Sequence, residues 1–175
     1  MLKRSYLTTF IYSEIATIKF DLFKNITSLT PVYLKNGKDS WLFYYDQVND
    51  NKTSFYYKHS QAEMDSICDN MSDLAYELKK KYNMTLVYLP MPAKYTLYHT
   101  VINNDEYNQF LPRLYDGLKK RNVNYINVYN DFCNSDTLLY YHTDSHWNQK
   151  GIDIAYKKTI TYLKKDSVLK KFLVN

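Results

Sequence analysis

Ser60-Gln61-Ala62-Glu63-Met64, running on to Thr85-Leu86-Val87-Tyr88-Leu89-Pro90, is the stretch that decides the fold class. Ser60 followed three residues later by Glu63 is a capping-box pattern, so a helix is expected to begin there. Met64, Ile67, Cys68, Met71, Leu74, Ala75 and Leu78 then recur at helical spacing and define one apolar face. Asn83 is expected to end this helix. The apolar run 85–89, stopped by Pro90, reads as a buried strand. Pro90-Met91-Pro92-Ala93-Lys94 is expected as a loop at that strand's C-terminal end.

Downstream the pattern repeats. A second amphipathic helix is predicted over 104–121 through Tyr107, Phe110, Leu111, Leu114 and Leu118, followed by a strand over 123–129. Asn148 is a predicted N-cap for a third helix carrying Ile152, Ala155, Thr159, Tyr162 and Leu163. Strand and helix alternating in this way is an α/β signature, whose sites gather at the C-terminal ends of strands. Upstream, 6–24 is predicted helical, through Phe10, Ile11, Ile15, Ile18 and Leu22. Residues 31–45 read as a β-hairpin, with Asn36-Gly37 as its turn. Residues 46–59 are polar and are expected to be loop. No repeat or linker divides the 175 residues, so one domain is expected.

Composition narrows the function classes. Hydrophobic residues make up 45% of the chain, which excludes a disordered segment. Tyrosine is over-represented, at 20 residues. It suits sheet surfaces and sugar-binding clefts, and a compositional bias that also enriches Asn and Lys would give the same number. The net charge of +5 is spread out. Lys79-Lys80-Lys81 and Lys119-Lys120-Arg121 fall at predicted helix ends, where cations complement the helix dipole. No nucleic-acid partner is expected. No stretch approaches the ~20 apolar residues of a membrane span. Met1-Leu2-Lys3-Arg4 is basic but is not followed by an apolar core and cleavage site, so no signal peptide is expected. Cys68 reads as core, and Cys68 with Cys133 makes neither a disulfide framework nor a zinc site.

The chemistry-bearing segment is Tyr140-Tyr141-His142-Thr143-Asp144-Ser145-His146-Trp147-Asn148-Gln149-Lys150-Gly151. Asp144 two residues before His146 can hold one ring nitrogen protonated and leave the other as a base. The competing reading is a surface loop whose Asp caps a turn and whose His is incidental. Acyl transfer also needs a nucleophile near backbone N–H donors. The chain has no Gly-x-Ser-x-Gly and no Gly-Asp-Ser. Ser40, in Gly37-Lys38-Asp39-Ser40, lies in the predicted hairpin turn, and nothing near Cys133 in sequence activates its thiol. His142, Asp144 and His146 could face one way as metal ligands, though no fourth ligand is evident. Lys94 could hold a sugar or carboxylate, or be a solvated lysine. His59 and His99 suggest nothing.

Three segments together resemble the SGNH-hydrolase-like domain of the alginate O-acetyltransferases, the AlgJ and AlgX type with the related DHHW proteins. They are Asn36-Gly37-Lys38-Asp39-Ser40-Trp41-Leu42-Phe43-Tyr44, Leu89-Pro90-Met91-Pro92-Ala93-Lys94-Tyr95-Thr96-Leu97-Tyr98, and Tyr140 to Gly151. The resemblance runs from about residue 6 to 164, with the segments in the family's order. It implies a three-layer α/β/α fold with a mostly parallel sheet, here truncated, plus an N-terminal helix and hairpin. It also implies acetyl transfer to or from exported polysaccharide, outside the cytoplasm and without a cofactor. It carries the acid role onto Asp144 and the base role onto His146, and Trp147, Lys94 and Tyr141 are the expected substrate-side residues. In that family a Gly-Asp-Ser serine follows later; no such segment follows here, and Ser40 stands where the family tends to have glycine. The expectation is a domain incomplete for catalysis on its own, with a partner chain or homodimer completing the sheet. The alternatives are a non-catalytic carbohydrate-binding module and a metal-dependent hydrolase using His142, Asp144 and His146.

Overall fold

In a computed structural model, the described residues are 32–35, 41–44, 51–103, 107–142 and 144–165. The predicted helix at 6–24 lies outside them, as does Ser40. The capping box is present. The Ser60 hydroxyl accepts the Glu63 N–H at 3.2 Å, and a Glu63 carboxylate oxygen accepts the Ser60 N–H at 2.8 Å. Helix α1 follows, Gln61–Tyr82. It stops at Asn83, which takes the left-handed conformation (φ 53°) and donates its N–H to Lys79 O at 3.0 Å. Lys79, Lys80 and Lys81 occupy its last turn.

The α1 face carrying Met64 and Cys68 packs on Leu111, Leu114, Tyr115 and Leu118 of a second long helix, Phe110–Lys120. Gly117 sets how closely the two helices approach, because a Cβ there would stand 2.4 Å from Cys68 Sγ. Between them lie two short helices, α2 (Lys94–Tyr98) and α3 (Thr100–Asn103), so Phe110–Lys120 is α4. The spacing predicts α4 from 104, and it begins at Phe110. Asn108 explains the late start. Its Nδ2 donates to the carbonyls of Phe55, Tyr56 and Tyr57 at 2.7–3.1 Å, while its Oδ1 accepts the Phe110 N–H at 3.1 Å. Asn108 is thus tied to the preceding loop and is not a turn of helix, and Gln109 after it, in the left-handed conformation (φ 60°), is the N-cap.

The hairpin is present as β1 (Val32–Lys35) paired antiparallel with β2 (Trp41–Tyr44), in the register Leu34 opposite Leu42. The two predicted parallel strands are much shorter than the sequence suggests. Segments 85–89 and 123–129 meet in one parallel bridge, Tyr88 with Tyr125. Tyr88 N–H donates to Asn124 O at 3.0 Å and Ile126 N–H to Tyr88 O at 2.8 Å. The ladder cannot run on, because Pro90 and Pro92 lack the N–H groups it would use. On the partner side, Val123 N–H is spent on Leu118 O at 3.0 Å, and a short helix α5, Tyr129–Cys133, takes over at Tyr129. Among the described residues, parallel pairing extends no further than this bridge, so a mostly parallel sheet is not seen there.

The last helix, α6, is Gln149–Lys165. Asn148 caps it as predicted, its Oδ1 accepting the N–H groups of Lys150 at 3.0 Å and Gly151 at 3.2 Å. Ala155 turns a small face towards Ile126, Val128, Phe132, Leu139 and Tyr140, the second apolar cluster. A third, of Phe43, Tyr95 and Tyr107, joins the hairpin to α2. Among the described residues, no helix is long and apolar enough to cross a membrane.

Candidate active site

The 140–148 loop is a narrow turn back on itself. Tyr140 and Trp147 form an antiparallel bridge, Tyr141 N–H donates to His146 O at 3.2 Å, and Asn148 N–H donates to Leu139 O at 2.8 Å. This places Asp144 at the tip and Ser145 and His146 on the returning arm. Gly151, one turn into α6, lets the helix sit against the loop. A Cβ there would meet Leu139 O at 2.9 Å and Trp147 Cβ at 3.1 Å.

At the tip, one oxygen of Asp144 takes two bonds from His146. Asp144 Oδ1 accepts the backbone N–H at 2.9 Å and lies 2.5 Å from Nδ1. The hydrogen bonds from His146 hold the Asp144 carboxyl below the ordinary carboxylate range. An ionised carboxylate only accepts, so the shared proton sits on Nδ1, and the lone pair of a neutral ring then lies on Nε2. Among the described residues, Nε2 has no hydrogen-bond partner. The pair is open to solvent, with the side chains of His146 and Asp144 76% and 51% exposed. The sequence-predicted acid and base are therefore together, in the orientation an acid-oriented base requires.

Lys94 is placed differently from a solvated or cleft-lining cation. It opens α2 and is fully buried. Its Nζ lies 2.7 Å from Leu42 O, 2.6 Å from Tyr141 O, 2.8 Å from His142 O and 2.9 Å from Asp144 O. The rings of Trp41 and Phe43 lie 5.2 and 5.3 Å from it, in cation–π range. Burial pushes this ammonium down to about 8, and the Asp144 carboxylate pulls it back up. With four carbonyl oxygens for three N–H donors, no donor remains for a sugar. The expected substrate-side cation is instead the joint between β2 and the Asp–His loop.

Other contacts hold the same joint. Leu42 N–H donates to His142 O at 2.8 Å, and the His142 ring stacks on Trp41 with centroids 4.3 Å apart. The Tyr140 hydroxyl donates to Pro92 O, the Tyr115 hydroxyl to Pro90 O at 2.8 Å, and the Tyr98 hydroxyl accepts the Leu139 N–H at 3.0 Å. Trp147 is half-buried, 6.4 Å from Phe132 centroid to centroid, and supports the loop from beneath. Tyr141, on the same loop, is exposed. Sequence reasoning missed Trp41 as a residue of the site. Its place in the hairpin motif, one residue before the Leu42 carbonyl, was the available signal.

The remaining candidates fall away from the pair. The described residues contain no group of three His, Cys, Asp or Glu side chains arranged to hold a metal, and His142 is stacked on Trp41. Cys133 is a free cysteine at the surface, but the protein atoms around its sulfur push the thiol's pKa up, the opposite of activation. His59 bonds the carbonyls of Tyr57 and Lys52, and His99 that of Thr96.

The three segments singled out in the sequence thus meet at one place, with Lys94 touching the other two. A search of curated proteins and a search of solved structures found no match. The family model of the SGNH hydrolase-like domain of the acetyltransferase AlgX matches residues 34–172, which takes in all three segments and implies an α/β fold. The chain belongs to this family of SGNH hydrolase-like, AlgX-type acetyltransferase domains.

Proposed function

We propose that this domain supplies the acid–base half of an O-acetyl transfer to or from polysaccharide. His146 Nε2 is the base for a serine hydroxyl, and Asp144 orients the ring and stabilises the imidazolium that forms. The carrying observation is the 2.5 Å contact between Asp144 Oδ1 and His146 Nδ1, with Nε2 turned to an open face. Family membership supports acetyl transfer as the reaction class. Exposed Tyr141, on the same loop as the pair, suits contact with a saccharide ring.

The nucleophile belongs to a Gly-Asp-Ser-type segment that the 175 residues do not contain. Exposure of the pair supports this reading, because in a working triad the carboxylate is buried by its surroundings. The segment that brings the serine would also extend the sheet that starts at the Tyr88–Tyr125 bridge, towards a three-layer α/β/α arrangement. Isolated, the chain binds acetylated polysaccharide and turns it over no faster than background.

The test compares wild type with Asp144→Asn, His146→Ala, Ser40→Ala and Cys133→Ala on p-nitrophenyl acetate, with calorimetric titration of acetylated and deacetylated polysaccharide alongside. The expected outcome is one background rate for all five proteins and binding that prefers the acetylated polymer. Robust turnover abolished by Ser40→Ala or Cys133→Ala would show a complete enzyme with its own nucleophile. Absence of polysaccharide binding, together with no acetyl transfer when a serine-bearing chain of this family is added, would overturn the reading.

A further inference from the structure

The geometry points to Lys94 as the positioning residue of the Asp144–His146 pair, acting as a buried cation that fixes the loop by its backbone carbonyls. This assignment rests on the proposed acid–base role of the pair, but its evidence is separate. A two-residue spacing does not by itself bring Asp144 Oδ1 to His146 Nδ1, because residues 140–148 form a short turn on the surface with an exposed tip. Something has to hold the backbone on the arm that leads into that tip. Lys94 Nζ lies within 2.9 Å of the carbonyl oxygens of Tyr141, His142 and Asp144. The first two lie on that arm, and the third is the carboxylate residue itself, at the tip.

The fourth carbonyl is that of Leu42 on β2, at 2.7 Å. The same cation therefore bonds the hairpin and the loop, and Leu42 N–H closes the joint by donating to His142 O. Carbonyls from two segments would otherwise face one another with their negative ends converging. A positive charge between them turns that repulsion into attraction. The flanking Trp41 and Phe43 rings keep water out and present their negative faces to the ammonium. A neutral side chain of the same length would fill the space and take away the donor that the Leu42, Tyr141 and Asp144 oxygens share, leaving His142 O with the Leu42 N–H alone. Arginine would not substitute, since its planar fork needs a different arrangement of acceptors. Lys94 sits at the first residue of α2, two residues after Pro92 and four after Pro90, whose fixed φ constrains the path into it.

The test is NMR on the labelled full chain, and it does not depend on acetyl transfer. In wild type the Lys94 ammonium protons are expected in slow exchange with water, with couplings across hydrogen bonds to the carbonyl carbons of Leu42, Tyr141, His142 and Asp144. An ammonium averaged with solvent would overturn the assignment without any variant. In Lys94→Met the low-field Nδ1–H resonance of His146 is expected to vanish and the Leu42 amide to exchange freely, with α1 and α4 amides still protected. Lys94→Gln, with two neutral N–H donors, should keep a weakened signal, and it decides the question if Lys94→Met does not fold. Leu118→Ala serves as the control that loosens the core far from the loop. If it moves the His146 resonance as much as the Lys94 variants do, the residue is merely structural. Failure of the acetyl-transfer reading would leave all of these resonances where they are.

Discussion

The α1–α4 pair and the Asp–His loop are held together by opposite means. Between the helices, Met64, Cys68, Leu111, Leu114, Tyr115 and Leu118 share one apolar core, with many weak contacts and no single indispensable group. Around the loop, the chain is fixed by a few polar side chains bonded to backbone carbonyls: Lys94 to four, Tyr140 to Pro92 and Tyr115 to Pro90. The first arrangement tolerates a lost contact by partial collapse. The second leaves a buried acceptor unpaired, which costs about 1–3 kcal/mol per group. A fold built on distributed contacts thus carries a site built on concentrated ones.

The largest effect expected from breaking the distributed side is that of Leu118→Ala. The side chain is fully buried, so the loss is about 2–5 kcal/mol, read by chemical denaturation. The His146 resonance should be unchanged in the fraction that remains folded. A shift there would mean that the two regions are one cooperative unit. Gly151→Ala works from the other side. The new methyl group would meet the rigid Leu139 carbonyl at 2.9 Å, so α6 and the loop must part, at about 1–3 kcal/mol. Here the His146 Nδ1–H signal should weaken while α1 and α4 amides keep their protection. Loss of protection in both regions alike would remove the distinction.

The smallest effect is on pH dependence. Lys94 titrates at about 8 in the folded chain against its ordinary 10.5, so between those values the unfolded chain binds more protons. Stability then rises with pH from about 8 towards about 10, by on the order of 1 kcal/mol. Above about pH 10 the sign reverses. Burial raises the pKa of Tyr115, Tyr129 and Tyr140 above the usual tyrosine value, so the folded chain keeps protons that the unfolded chain releases. Denaturation curves of wild type across this range should show the rise, and Lys94→Gln should flatten it. A wild-type curve that is already flat would mean that the carbonyl cage fully offsets the burial of the charge.

The capping box of α1 and the part of its apolar face that carries Met64, Ile67, Cys68 and Met71 were legible because a helix states its period in its own residues, whereas Leu74, expected on the same face, is 51% exposed. Cys68 follows from that face and lies in the core. The parallel strands were legible as segments and not as a sheet. Apolar runs report burial, whereas ladder length depends on partners, and here prolines 90 and 92 on one side and α5 on the other stop it. The start of α4 was misplaced because periodicity cannot see that Asn108 is tied to the carbonyls of Phe55, Tyr56 and Tyr57.

For the site, the sequence by itself determined the Asp144–His146 spacing and the Asn148 cap, since each acts within a few residues of its own position. Only the tertiary structure decided what Lys94 does. Its four partners are carbonyl oxygens, which every residue carries and no side-chain pattern marks, on segments about 50 positions away on either side. A lysine on a surface and a lysine that holds a loop in place are the same letter, and they differ in which backbone oxygens the fold brings around the charge.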